Sequence, residues 1–197
     1  HATFWQDGHT QRISVDGDTS TSDTLLLAAT GAARHPRVSG PADRLLGDFR
    51  RQLDDLLLDL AHQVVRDGEG AQKFVAIRVS GAQSARAARR IGFAIATSPL
   101  VKTALAAGDA NWGRIVMAVG KAGEKAERDR LEIRVGGVLI AAKGAAVPGY
   151  VEAPVTRHMA GREITIEVDV GVGNGRASVW TCDLTHGYID INATYRS

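Results

Sequence analysis

A chain of 197 residues, 44% hydrophobic and 23% charged, is one large domain or two small ones with enough apolar material for a true core. The net charge of +2 is dispersed and only 5% of the residues are aromatic, which argues against the concentrated basic surface of a nucleic-acid binder. The single cysteine, Cys182, excludes an intrachain disulfide and fits a reducing compartment, and no apolar run approaches the ~18 residues of a membrane span.

The start, His1 to Asp7, lacks the basic-then-apolar order of a signal peptide; the expected location is cytoplasmic. Residues 12–30 suggest a strand, a polar turn and a second apolar strand through Leu25-Leu26-Leu27. After a Gly-, Pro- and Arg-containing loop, Leu45, Leu46, Phe49, Leu53, Leu56, Leu57, Leu60 and Val64 recur at spacings of mostly three and four. That spacing predicts a long amphipathic helix, with Pro41 in its first turn, Gly68 at its stop and the leucine stripe in the core. Residues 73–79 alternate and are rich in β-formers, a strand.

Residues 84–97 carry small side chains at helical spacing, suited to close packing on a sheet. Ser98-Pro99 supplies an N-cap and a first-turn proline for a helix to about Ala107. The apolar run 115–119 is compatible with helix or strand. Residues 120–129 are small and charged and mark a boundary. Beyond it come strands at 131–135 and 138–142 joined by Gly136-Gly137, a strong hairpin dipeptide. A short helix near 150–159 and strands at 163–170 and 176–182, joined as a hairpin by Gly171 to Gly175, complete the pattern. The expected architecture is a mixed α/β layered core over 1–122 and a small C-terminal ββαββ lobe over 123–197.

Four stretches carry candidate chemistry. In Val15 to Thr24, eight of ten residues are acids or hydroxyls; short polar side chains of this kind bond nearby backbone N–H groups, so it is either a capped turn or the polar wall of a site. It is not a calcium loop, because the sixth and twelfth positions are Thr21 and Leu27 rather than Gly and Glu. Glu69 sits between two glycines that permit close backbone approach, where a carboxylate is either a solvated loop acid or a holder of an amine. Asp109, Asn111 and Arg114 surround Trp112, as a structural turn or as a site wall. The C-terminal Asn192 to Ser197 follows an alternation of Ile189 and Ile191 that, with Tyr195, suggests a docked tail. The histidines, at 1, 9, 35, 62, 158 and 186, show no ligand spacing, and no metal site is expected. Gly171, Gly173 and Gly175 separate two strands, which excludes a dinucleotide fingerprint.

Taken in order, the stretch at 15–24, Asp67-Gly68-Glu69-Gly70-Ala71, Asp109 to Arg114, and Cys182-Asp183-Leu184-Thr185 with Asn192 to Ser197 closely resemble the ornithine acetyltransferase family of bifunctional arginine-biosynthesis enzymes. The resemblance runs from about Ile13 to Ser197. It implies a precursor that cuts itself before a threonine, the new N-terminal Thr of the β chain then serving as nucleophile, with its own free amine as a built-in base. The expected substrates are N-acetylornithine, ornithine and glutamate, with acetyl-CoA a further acetyl donor in some members and no cofactor required. The expected assembly is an α2β2 heterotetramer whose α chain supplies the oxyanion hole.

Carried over by position, Glu69, Asn192 and Ser197 match the family's substrate-binding residues. Ser197 is often Thr in relatives, Ala110 often Pro and Ser22 often Asn. The resemblance places the nucleophilic Thr upstream of His1, so no catalytic residue is expected among residues 1–197. Thr3 is rejected because the apolar segment expected after it is missing, and the stretch from Trp5 to Gln11 departs from the family pattern.

Two other readings remain open. One is a related self-processing aminopeptidase, separable by activity on amino-acid amides. The other is a non-catalytic binding or assembly protein without a nucleophile, separable by the sequence of the expressed precursor.

Overall fold

The computed structural model describes residues 12–19, 22 and 24–194; Thr3 and Ser197 lie outside them. Seven strands form one mixed sheet in the order β1-β7-β2-β6-β3-β4-β5. They are β1 (Ile13–Ser14), β2 (Phe74–Ala82), β3 (Glu132–Val135), β4 (Val138–Ala142), β5 (Ala145–Ala146), β6 (Glu163–Asp169) and β7 (Gly175–Cys182). Six α-helices accompany them among the described residues: α1 (Gly47–Arg66), α2 (Ala85–Ala96), α3 (Pro99–Ala106), α4 (Trp112–Lys121), α5 (Glu152–Met159) and α6 (His186–Thr194). The fold is mixed α/β, as expected.

The central strand β2 alternates. Val75, Ile77 and Val79 are buried, while Arg78 between them is exposed, the period-two signature of a sheet with one covered face. The cover is helical. α2 buries Ala87, Ala88, Ile91, Gly92, Ile95 and Ala96. Its small residues let the backbone approach closely: a Cβ on Gly92 would stand 2.8 Å from a methyl of Val179. The open face carries ion pairs instead, Arg78 with Glu167 and Arg134 with Glu132.

Local signals in the sequence are realised. Ser84 caps α2 by accepting from the Ala87 amide at 3.1 Å, and Ser98 caps α3 with Pro99 in the first turn. The segment 115–119 is helical, within α4. Gly136 and Gly137 adopt φ of +57° and +80°, the left-handed pair that a tight hairpin needs, and β3 pairs antiparallel with β4 across them.

Four expectations do not hold. First, Gly171 to Gly175 is not a hairpin turn: β2 lies between β6 and β7, parallel to one and antiparallel to the other. The loop crosses the end of β2, where the Val172 and Gly173 amides both donate to the Gly81 carbonyl at 2.7 Å. The strands expected in a C-terminal lobe therefore share their sheet with β2. Second, Leu25 to Leu27 form no strand, and Leu26 is 85% exposed. Third, the long helix begins later than Pro41, after a 3-10 turn at Arg44–Leu46 capped by Asp43.

Fourth, the leucine stripe is not in the core. Leu45, Phe49, Leu56, Leu60 and Val64 are all exposed, and Ala61 and Val65 are the buried residues of α1. Periodicity identifies residues that share a face, and leaves open what covers it. α1 is seated through its C-terminal end. Val65 joins a small cluster with Phe74 and Cys182, and His62 stacks edge-on against Phe74 and Trp180. Arg66 lies 4.0 Å over the Phe74 ring and pairs with Glu163.

Candidate functional site

β2 and β7 run antiparallel with Phe74 opposite Cys182, and β1 runs parallel to β7 with Ser14 opposite Thr181. The register brings three ends together: the entry to β2, the exit from β7 and the exit from β1. The loop holding Glu69, the segment from Asp183 to α6, and Asp16 therefore meet at one edge of the sheet.

Asp183 builds the first tie. It is 2% exposed, and its Oδ1 accepts from the backbone amides of Gln72 at 2.8 Å and Lys73 at 2.9 Å. One carboxylate oxygen thus fixes the loop just after Glu69, with the added strength of a charged acceptor. Thr185 builds the second tie by donating from Oγ1 to the Gly70 carbonyl at 2.6 Å and accepting from the Gly187 amide at 3.1 Å. Gly70 has φ of +69°, and a Cβ there would fall 2.3 Å from the Tyr188 amide nitrogen. Only glycine suits this backbone-on-backbone contact.

α6 then supplies two polar side chains one turn apart on the same face. The Tyr188 hydroxyl donates to Asp16 Oδ2 at 3.0 Å. Asn192 Nδ2 donates to Glu69 Oε2 at 2.6 Å and to the Tyr188 carbonyl at 3.0 Å. Partial burial, then the bond and charge of Asp16, push the Tyr188 phenol above its usual range. Asp16 is part of its own turn as well, since its Oδ1 accepts from the Asp18 amide at 2.9 Å. The start of the acidic stretch, Asp16 to Asp18, is both a turn and one wall of this cluster. Among the described residues no lysine or arginine forms an ion pair with Glu69, and its side chain faces solvent.

Behind the cluster lies a buried lysine. Lys102 on α3 is 2% exposed. Its Nζ donates to Thr181 Oγ1 at 3.0 Å and to the Cys182 carbonyl, and lies 3.7 Å from Cys182 Sγ. Burial pushes the Lys102 ammonium below the usual lysine value, against the pull of Cys182, Asp183 and Asp16. Burial also pushes the Cys182 thiol up, against Lys102. Lys73 acts as a helix-end cap. Its Nζ donates to the Leu105 and Met159 carbonyls at 2.7 and 2.8 Å, satisfying the ends of α3 and α5 where carbonyls lack helical partners.

Of the residues singled out in the sequence, Glu69 and Asn192 are brought into direct contact. Ser197 lies outside the described residues. The turn at Asp109 to Arg114 is a helix start: Asn111 caps α4 by accepting from the Arg114 amide at 3.2 Å, and Arg114 reaches the Leu100 carbonyl at 2.7 Å. The C-terminal segment docks through Tyr188 and Asn192, while Ile189 and Ile191 remain exposed. Asp183, Thr185 and Tyr188 carried no individual role in the sequence reading. The available signal was the four-residue spacing of Tyr188 and Asn192 in a segment that also bears Asp and Thr.

Comparison with known proteins places the chain in a family. Residues 6–197 match the ArgJ family. The chain is 60% identical over 185 residues to the arginine biosynthesis bifunctional protein ArgJ of Zymomonas mobilis, covering 94% of this chain and 45% of that protein. It is 58% identical over 188 residues to the ArgJ of Rhizobium meliloti, covering 94% and 46%. It thus spans less than half the length of these curated relatives. A crystal structure of arginine biosynthesis bifunctional protein argJ from Bacillus halodurans superposes with a TM-score of 0.91 at 35% identity, over 98% of this chain and 90% of that one. On sequence over nearly its whole length, and on fold, the chain belongs to the ArgJ family.

Proposed function

We propose that this chain is the β part of an ornithine acetyltransferase of arginine biosynthesis. In this reading a threonine hydroxyl, placed upstream of His1 by the resemblance, attacks the acetyl carbonyl of N-acetylornithine. The hydroxyl proton passes through the threonine's own amine to the leaving nitrogen as the amide C–N bond breaks, and ornithine departs. The amine of glutamate then attacks the acetyl ester, and the threonine hydroxyl is regained. No cofactor is needed, and acetyl-CoA enters only as an alternative acetyl donor. An α chain from the same precursor supplies the oxyanion hole in an α2β2 assembly, in the cytoplasm.

Within residues 1–197, Glu69 binds the substrate ammonium, Asn192 orients that carboxylate, and Ser197 adds a hydroxyl contact. The observation that carries the reading is the Asn192–Glu69 bond of 2.6 Å, on a loop whose backbone is fixed from behind by Asp183 and Thr185, with the carboxylate facing solvent and, among the described residues, no lysine or arginine paired with it. An ammonium group is the natural complement of such an anion. A further support is length. The relatives' polypeptides are about twice as long as this chain, whereas the Bacillus halodurans chain is nearly its equal, as expected if the precursor is cut in two.

Intact mass spectrometry tests the proposal. The assembled protein mixed with N-acetylornithine should gain one acetyl group on a chain beginning in threonine, and glutamate should remove it. No gain on any chain under conditions of turnover would refute the acyl-enzyme.

A further inference from the structure

α6 stands at the site without a core of its own. None of its nine residues is buried, and Ile189 and Ile191 are exposed. A helix is usually fixed in rotation by an apolar face laid against a neighbour; here polar contacts must do that. The start of α6 is pinned to the backbone of Gly70 through Thr185 and Gly187. Beyond that point, two side-chain hydrogen bonds tie it to other elements among the described residues: Tyr188 to Asp16, and Asn192 to Glu69.

The two bonds belong to one chain of contacts. Asn192 Nδ2 donates one hydrogen to Glu69 Oε2 at 2.6 Å and the other to the Tyr188 carbonyl at 3.0 Å. A carboxylate and a carbonyl only accept, so the amide is held nitrogen-first toward both. The residue whose carbonyl holds Asn192 is the one whose phenol reaches Asp16, at 3.0 Å. Asp16 is itself fixed. Its Oδ1 accepts from the Asp18 amide at 2.9 Å, and it follows β1, whose Ser14 is paired with Thr181. Its neighbour Gly17 lies so close to Thr97 that an added Cβ would stand 3.2 Å from the Thr97 Cβ. A rigid turn thus offers the acceptor, and the helix to be oriented carries the donor.

We infer that Tyr188 and Asp16 are positioning residues for the ammonium site: their bond sets the rotation of α6, so that Asn192 meets Glu69 and presents its carboxylate in one orientation. The inference rests on the proposal that Glu69 and Asn192 bind the amino-acid substrate. Neither Tyr188 nor Asp16 needs to touch that substrate. Loss of their bond leaves Glu69 charged and its loop clamped by Asp183, and removes only the alignment.

The test is steady-state kinetics of the assembled enzyme, with N-acetylornithine varied at saturating glutamate. The variants are Tyr188→Phe, Asp16→Ala, Asp16→Asn, Asn192→Ala and the double Tyr188→Phe/Asn192→Ala. Tyr188→Phe keeps the ring and removes one oxygen. It should raise KM about 3- to 10-fold, the worth of one hydrogen bond, with kcat within about twofold of wild type. Asp16→Ala should match it. Asp16→Asn, which keeps an acceptor oxygen for the phenol, should recover most of the loss. In the Asn192→Ala background Tyr188→Phe should add nothing, because residues acting through one contact are not additive. A general loosening of the fold would instead multiply the two effects and leave Asp16→Asn no better than Asp16→Ala.

Wild-type KM in Tyr188→Phe, or the same rise in KM with and without Asn192, overturns the inference. Either result leaves the enzyme reading standing as long as Asn192→Ala itself raises KM. Wild-type kinetics in Asn192→Ala would strike the substrate-binding reading of the site, and the inference with it.

Discussion

α2 and α1 both carry apolar faces, and among the described residues only α2 finds its full cover. α2 spends alanines, a glycine and two isoleucines on the sheet, at contact distances that leave no room for a methyl group on Gly92. α1 presents leucines, a phenylalanine and a valine to solvent and is seated through its last two turns. Small residues at helical spacing belong to an interior already shaped around them. A stripe of large ones can belong equally to a core or to an interface, and here it faces outward.

That contrast predicts the largest difference between two similar substitutions. Ile91→Ala should cost about 2–5 kcal/mol, because Ile91 is fully buried and its loss leaves a cavity. Leu56→Ala should change the stability of this chain's own fold by roughly 0.5 kcal/mol or less. Urea unfolding of each variant would measure both losses. Comparable losses of folding stability would mean that Leu56 is also core.

The site is held differently, by polar ties rather than apolar packing. Asp183→Ala strands the Gln72 and Lys73 amides in a buried setting and should cost about 2–4 kcal/mol, whereas Asp183→Asn keeps an acceptor oxygen and should cost less. Hydrogen exchange at residues 70–73 would register the loosened loop. Unchanged protection in the Ala variant would show that the clamp lies elsewhere.

A smaller effect concerns pH. The folded-state value of Lys102 lies below the ordinary 10.5, so between the two the unfolded chain binds more protons and stability rises with pH. The folded-state value of Cys182 lies above the ordinary 9.0, so stability falls as the unfolded thiol ionises. The two slopes oppose each other. Cys182→Ala removes only the falling one, so its stability relative to wild type should increase from pH ~7 to pH ~9.5 by roughly a few tenths of a kcal/mol. Parallel stability curves would contradict this.

What the sequence made legible was local. Ser84, Ser98-Pro99 and Gly136-Gly137 act on their own neighbours, and the elements they start or join appear where those residues place them. What it concealed was non-local. Nothing near Gly171 to Gly175 announces that β2, from almost a hundred residues earlier, will lie between β6 and β7. The expected burial of α1 failed because periodicity marks a face, and the described residues supply no cover for it. At the site, Glu69 and Asn192 were found through the family pattern. Asp183, which holds the Glu69 loop, acts through backbone amides far away in sequence, and amides carry no residue-type signature.

The measurement that bears most directly on the site is the steady-state kinetics of Glu69→Gln in the assembled enzyme, with N-acetylornithine as donor and glutamate as acceptor, alongside its thermal unfolding. Glutamine keeps the shape and an acceptor for Asn192 while removing the charge. If Glu69 holds the substrate ammonium, kcat/KM should fall by about 10- to 100-fold, the worth of a charged hydrogen bond, with the melting temperature unchanged. Wild-type kcat/KM in that variant would contradict the assignment of Glu69 and, with it, the substrate-binding role of the Glu69–Asn192 pair.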